Sequence, residues 1–314
     1  MTDGPVLVTR ELTKRFGERL AVDKLNLHLN AGEVYGLLGP NGSGKSTTVA
    51  MILALVRPSS GQIEVFGLPL QSHRWEILRR VGAIVESPAF YPYLSGRDNL
   101  RIYARAIGVI SERQIDDSLD RVDLLERADD RYDEYSLGMK QRLGIASTLL
   151  RDPQLIILDE PTNGLDPAGT IEIRALIPRL ASEGRTVLVC SHLLYEVEQT
   201  CERVTIMQRG QQLTETTVHD LLQQERGIRI RIDGDGAGEG VIAALRSVPW
   251  VRDIRREEDS YLRVMAPADR ASEMNRILVE HGIYVAELTP VHPTLESVFL
   301  EFTGDGSKPD VIDA

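Results

Sequence analysis

The chain has 314 residues, 42% of them hydrophobic and 26% charged, with a formal net charge of −11. That composition belongs to a folded globular protein with room for one large α/β domain and a small second one. The acidic balance argues against broad electrostatic binding of nucleic acid, no run approaches the ~18 apolar residues of a membrane span, and the amino terminus lacks the pattern of a secretion signal.

Residues 6–9 and the alternating Leu25-Asn26-Leu27-His28-Leu29 read as half-solvated strands. A buried strand over 32–38 feeds a glycine-rich loop, and a helix over 44–55 follows until Arg57-Pro58 stops it. Residues 61–67 form another short strand. From 87 to 152 the pattern is mostly helical, with amphipathic segments at 98–107 and 112–125 and a third helix beginning near Ser136 and ending before Asp152-Pro153. Strand and helix then alternate through 155–159, 168–182, 186–191, 193–201 and 204–208, which implies parallel strands joined by helical crossovers.

A glycine-rich stretch at 234–240 marks a change of composition. Around and beyond it, segments at 228–232, 241–247, 251–255, 261–264, 270–281 and 284–288 spell β-α-β-β-α-β, an order that suits a ferredoxin-like split βαβ unit. A helical piece at 295–302 precedes a polar tail, 304–314, expected to be disordered. The two cysteines, Cys190 and Cys201, form neither a CxxC pair nor a disulfide framework. Cys190 sits in an aliphatic run and is expected to be a small buried hydrophobe, which points to a reducing, cytoplasmic compartment.

Residues 39–47, Gly39-Pro40-Asn41-Gly42-Ser43-Gly44-Lys45-Ser46-Thr47, fit G-x-x-x-x-G-K-[ST] between an expected strand and an expected helix. Glycines let the backbone curl so that N–H groups face phosphate oxygens, and the helix N-terminus adds partial positive charge. Lys45 can reach the β- and γ-phosphates, and the Ser46 hydroxyl can ligate Mg²⁺. The strand over 155–159 delivers Asp159 and Glu160 to its carboxyl end, where open α/β sheets bind ligands. One carboxylate suits Mg²⁺ and the other suits activation of the attacking water. His192 follows the next strand and should reach the same edge, where a ring nitrogen could bond a γ-phosphate or the lytic water; a structural histidine is the plainer alternative. Ser136 is placed to cap its helix. The same N-terminus could also contact a γ-phosphate, and since a helical region separates it from the 39–47 loop, a second subunit could supply it.

This ordered set resembles the ATP-binding cassette subunit of ABC transporters, over roughly residues 4–225. The resemblance implies an α/β P-loop NTPase fold: a mostly parallel sheet core, an antiparallel β subdomain, a helical subdomain at about 87–153, and here a small α+β domain at 226–303. It implies ATP and Mg²⁺ as ligands, with Gly39, Asn41, Gly42, Ser43, Gly44, Lys45, Ser46 and Thr47 at the phosphates, Ser46 and Asp159 at the metal, and Glu160 as catalytic base. Ser136 and Gly138 match the signature motif that meets the nucleotide of the opposite subunit in a head-to-tail homodimer. Asp166, in Gly164-Leu165-Asp166, belongs to the loop crossing that interface, His192 matches the switch histidine, and Phe16 matches the aromatic that stacks on adenine.

Two positions depart from the family's common form. The signature reads Tyr-Ser-Leu-Gly-Met rather than Leu-Ser-Gly-Gly-Gln, and Glu86 stands where a glutamine usually touches Mg²⁺ and links nucleotide state to the membrane partner. Glu86 with the following Ser-Pro-Ala-Phe-Tyr-Pro resembles the branch serving bacitracin and lantibiotic resistance. The expectation is an ATPase subunit, cytoplasmic and peripheral on the inner face of the membrane, powering an exporter through a separate permease that Phe90, Tyr91, Pro92 and Tyr93 could meet. The alternative is an ABC-type ATPase acting without a permease.

Overall fold

The computed structural model describes residues 4–85, 89–108, 111–224, 227–231, 237–257, 261–291 and 294–303. They divide into two units, Met1–Thr217 and Val218–Ala314. In chain order the first unit has β1 (Leu7–Phe16), β2 (Arg19–Leu25), β3 (His28–Leu29), β4 (Val34–Leu38), α1 (Lys45–Ile52), β5 (Ser60–Val65), β6 (Leu68–Pro69), α2 (Leu70–Leu78) and β7 (Val81–Ile84). There follow α3 (Gly96–Ala106), α4 (Glu112–Arg121), α5 (Leu137–Leu149), β8 (Leu155–Asp159), α6 (Pro167–Ser182), β9 (Thr186–Ser191), α7 (Leu194–Thr200), β10 (Arg203–Gln208) and β11 (Gln211–Thr217).

The aliphatic strands β4, β8 and β9 are buried along their whole length, as strands covered on both faces must be. They lie inside a six-stranded sheet ordered β11-β10-β4-β9-β8-β7. All pairings are parallel except that of the edge strand β11 with β10. β9 therefore stands between β4 and β8, and the loops leaving these three strands emerge side by side at one edge. This arrangement positions the site.

A second sheet, β2-β1-β5-β6 with β3 also on β1, is antiparallel. The expected single strand over Leu25–Leu29 is broken here. β2 ends at Leu25 and β3 begins at His28, because the Thr9 hydroxyl enters the ladder, donating to the Leu25 carbonyl at 2.9 Å and accepting from the Leu27 N–H at 2.8 Å. A side chain doing the work of a backbone group lets the strand bend, as at a bulge.

In the helical region Ser95 caps α3, accepting from the Asp98 N–H, and the buried Asn99 bonds both backbone groups of Tyr91. Phe90 is buried against Tyr103 and Tyr132, at 5.1 and 5.3 Å between ring centroids. The expectation that all of residues 90–93 could meet a partner is corrected accordingly. Phe90 is spent on the subdomain's own packing, while Tyr91, Pro92 and Tyr93 are exposed.

The second unit comprises α8 (Val218–Gln224), β12 (Gly227–Arg231), α9 (Ala237–Leu245), β13 (Asp253–Arg256), β14 (Tyr261–Met265), α10 (Ala271–Glu280), β15 (Glu287–Val291) and α11 (Leu295–Thr303). Its sheet, β13-β14-β12-β15, is antiparallel throughout. Ile228, Ile230, Ile254, Leu262 and Val264 alternate onto one face and meet Val241 and Leu245 of α9 and Met274 and Leu278 of α10. The last strand starts at Glu287, later than the expected 284, because Leu288 pairs with Ile230, leaving Tyr284 exposed before it. The tail at 304–314 and residues 232–236 lie outside the described residues.

Candidate active site

The loop after β4 turns through positions that exclude side chains. A Cβ at Gly39 would lie 2.3 Å from the Met207 carbonyl oxygen, and one at Gly44, where φ is 110°, 2.6 Å from that of Ala21. No side chain caps the N-terminus of α1, so its first N–H groups remain for an incoming anion. The Ser43 hydroxyl is buried without a hydrogen-bond partner. Lys45 is only 5% exposed, and its Nζ donates to the carbonyls of Gly39 at 2.7 Å and Pro40 at 3.4 Å. A cradle bounded by backbone, an uncapped helix start, an orphaned hydroxyl and a buried ammonium fit a polyphosphate.

Glu160 reaches this ammonium from the end of β8. Its Oε1 stands 3.6 Å from Lys45 Nζ, and its Oε2 lies 2.8 Å from His192 Nδ1. The backbone completes the placement: the Glu160 N–H donates to the Cys190 carbonyl at 2.9 Å, and that of His192 donates to Glu160 Oε2 at 3.4 Å. Glu160 holds φ at 50°, a left-handed conformation that costs a non-glycine residue about 1–2 kcal/mol. Among the described residues seven other non-glycine positions, Glu11 and Arg209 among them, share this conformation, so the position of Glu160 between lysine and histidine, and not its φ, sets it apart. Asp159 precedes it, buried at the strand end, and Ser46 is exposed on the first turn of α1. A hydroxyl and a carboxylate suit a small hard cation that takes its other ligands from phosphate and water. Among the described residues no cluster of three His, Cys, Asp or Glu could hold a metal without such help.

Beneath this edge Cys190 is fully buried, as expected from its aliphatic run. Burial, and after it the neighbouring Asp159 carboxylate, pushes its thiol well above the ordinary range, while burial takes Cys201 up to about 12.

The remaining expected residues are not among the bonding partners of Lys45, Glu160 and His192. Ser136 caps α5, accepting from the Met139 N–H at 3.2 Å, and its carbonyl accepts from Lys140. Gly138 lies in the first turn against α6, and Asp166 caps α6 by accepting from the Gly169 N–H at 3.0 Å. Phe16 ends β1 half exposed, with Lys14 Nζ 4.7 Å from its ring centroid. Asn41 and Gly42 are exposed on the loop, and Thr47 is half buried on α1. Glu86 lies outside the described residues. Sequence reasoning missed Gly169 and Glu172, which build the α5–α6 contact. The signal available was a glycine in the first helical turn after Asp166-Pro167, where a better helix former would ordinarily serve.

Residues 22–163 match the family model described as ABC transporter. The chain is 40% identical, over 96% of its length and 98% of the relative's, to the bacitracin transport ATP-binding protein BcrA of Bacillus licheniformis. The chain belongs to the ABC transporter ATP-binding family. A second relative, the daunorubicin resistance ATP-binding protein DrrA3 of Streptomyces coeruleorubidus, is 34% identical over 94% of the chain and 95% of its own length. A solved ATP-binding subunit of an ABC transporter superposes with a TM-score of 0.61 at 29% identity, covering 70% of this chain and 92% of that one. As an ABC ATPase the chain binds and hydrolyses ATP, and ATP-binding subunits of this family serve a membrane permease. No helix among the described residues is long and apolar enough to cross a membrane.

Proposed function

We propose that the chain powers an ABC exporter of antibiotic, peptide or other drug-like molecules, acting as a head-to-tail homodimer on the cytoplasmic face of a separate permease. The observation that carries the catalytic reading is the carboxylate of Glu160 held between Lys45 and His192. Lys45 is engaged by two loop carbonyls and by Glu160. Triphosphate entering the 39–47 cradle competes for that ammonium and draws it from Glu160. The freed carboxylate then has a water as its natural partner, and with His192 fixing its other oxygen it is oriented to take the proton as the water attacks the γ-phosphorus. His192 Nδ1 is occupied by Glu160, which leaves Nε2 to donate to a phosphoryl oxygen in the imidazolium form, the one form in which both ring nitrogens carry hydrogen. Phe16 offers an exposed face for adenine. When bound, Mg²⁺ would be held by Ser46 and Asp159, a role that the sequence resemblance also gives to Glu86, and would neutralise phosphate charge.

Ser136 and Gly138 serve the nucleotide of the partner copy in this reading. Ser136 bonds the Met139 and Lys140 N–H groups of its own helix, and Ser136 and Leu137 are exposed between the buried Tyr135 and Gly138. The names of the two relatives above, bacitracin transport and daunorubicin resistance, support the class of cargo. We take the second unit, which begins at Val218 and not at the expected 226, as containing a ferredoxin-like domain. Glu160→Gln should slow hydrolysis on the order of 10²–10³-fold while trapping an ATP-bound dimer in size-exclusion chromatography. A variant that hydrolyses at the wild-type rate removes Glu160 as the base.

A further inference from the structure

Helix α2 carries an aromatic side chain that the rest of the fold does not use. The helix stands between β6 and β7 and packs inward through the buried Leu70 and Ile77, two turns apart on one face. Trp75 lies on the other face and is 78% exposed. Between Leu55 and Tyr91 it is the one large exposed hydrophobic among the described residues. Two arginines flank it. The Arg74 guanidinium carbon is 5.6 Å from the Trp75 ring centroid, and Arg79, four residues after Trp75, ends the helix on the same side. Both arginines are exposed, and neither has an ion-pair partner among the described residues. Glu76 is the one carboxylate on the helix itself. Glu64, which pairs with Pro69 at the helix start, is held by Arg10, and Arg80 is engaged by Gln154 and the Phe66 ring.

A tryptophan left in water forgoes the burial of roughly 150–250 Å² that its ring could contribute. A protein partner would need more than this ring. Stable interfaces bury about 800 Å² on each side around a centre depleted of charge, whereas Trp75 is surrounded by Gln71, Ser72, Arg74, Glu76 and Arg79. The headgroup layer of a bilayer asks for less. There a tryptophan seats between headgroups and acyl chains, and the planar fork of an arginine matches a lipid phosphate. At about 0.1 M salt, charges more than about 10 Å away are largely screened, so the chain's net charge of −11 does not cancel two local cations.

We propose that the outer face of α2 contacts the lipid surface, with Trp75 seated in the headgroup layer and Arg74 and Arg79 on the phosphates of anionic lipids. The inference rests on the reading of the chain as a peripheral subunit at the cytoplasmic face, and it names the element that meets lipid there. Each arginine should contribute about fivefold to affinity for an anionic surface. A contact of this size is reversible and does not hold the chain to a membrane by itself. Its effect is to fix which side of the cassette faces the bilayer.

The chain has two tryptophans, and Trp250 packs against the core of the second unit, so Trp250→Phe leaves Trp75 as the sole reporter. The full-length Trp250→Phe protein is mixed, at about 0.1 M salt, with excess phosphatidylcholine vesicles made with and without phosphatidylglycerol. With phosphatidylglycerol the Trp75 emission should shift to the blue and be quenched by lipids brominated just beneath the headgroup. Replacing both arginines, Arg74→Gln with Arg79→Gln, should weaken vesicle binding on the order of twentyfold. In the chain that retains Trp250, Trp75→Ala should abolish co-sedimentation with vesicles. All these forms should melt as the parent does and keep its ATPase rate in solution, since the changed side chains on α2 are exposed and outside the nucleotide site. Emission that no vesicle alters overturns the contact. So does a shift that is equal without phosphatidylglycerol or unchanged by the arginine substitutions, which would be nonspecific adsorption. A photoreactive side chain placed at position 75 in native membranes should capture lipid; capture of a protein alone overturns the lipid contact in favour of a protein partner. Vesicle binding needs no permease, so a chain that binds vesicles yet retains no membrane protein on purification would sink the exporter reading and leave the α2 contact standing.

Discussion

The two ends of the cassette are built in opposite ways. At the carboxyl edge of the parallel sheet three loops converge, and their charged groups pair with one another: Lys45 on the Gly39 and Pro40 carbonyls and on Glu160, and Glu160 on His192. At the start of α5 the functional hydroxyl, Ser136, only caps its helix, and Leu137 beside it is more than half exposed. One end holds a charged apparatus that substrate must pull apart. The other is a preformed surface that waits for something to arrive. The difference is what the proposed dimer requires, in which Ser136 of one copy would serve the nucleotide of the other.

The contrast can be broken first where the effect is largest. Lys45→Ala removes the ammonium from the charge-paired end and should lower both nucleotide affinity and turnover, the latter on the order of 10²–10³-fold in a steady-state ATPase assay. Ser136→Asp keeps a competent helix cap and sets a negative charge where phosphate would bind. It should silence hydrolysis nearly as fully while single-chain nucleotide affinity stays within about twofold. Equal loss of affinity in both variants would merge the two ends into one site and end the comparison. Phe16→Ala should be milder, raising KM by about five- to a hundredfold through lost base stacking with little change in kcat.

The smallest expected effect lies under the catalytic edge. Burial holds both thiols protonated, with Cys201 at about 12, so at pH 8 the thiolate fraction of Cys201 is about 10⁻⁴. For thiols the folded value lies above the unfolded one, so their contribution to stability is fully present below the unfolded pKa near 8.5 and is lost as pH rises toward the folded value. Alkylating reagents should leave Cys190 and Cys201 unmodified in the native protein and label both after denaturation. Native labelling would mean that the edge opens.

The charge-paired end was legible in the sequence because its chemistry is tied to short spacings and strand ends. The 39–47 pattern carries its own loop geometry, and Glu160 and His192 each follow an unmistakable buried strand, so a common edge could be inferred before any coordinate. What could not be read was the order of β4, β9 and β8 across the sheet, since strand adjacency depends on crossovers rather than local sequence. Thr9 breaking the 25–29 strand was hidden for a similar reason, because a hydroxyl replacing a backbone partner leaves the alternating pattern intact. Leu137 showed only as an irregularity. How closely α5 and α6 approach was hidden as well, because two glycines in separate helices, Gly138 and Gly169, decide it together. In the second unit the alternation of Ile228, Ile230, Leu262 and Val264 was plain, whereas the start of β15 was misplaced because pairing with β12, and not apolar content, sets its first residue.

The most direct test of the distributed site is complementation between two dead chains. Lys45→Ala retains a sound Ser136 surface, and Ser136→Asp retains a sound nucleotide cradle, so each should be inactive alone. Mixed in equal amounts with ATP, they should form heterodimers with one intact composite site and recover roughly a quarter of the wild-type ATPase rate. A mixture no more active than either chain by itself would contradict the account.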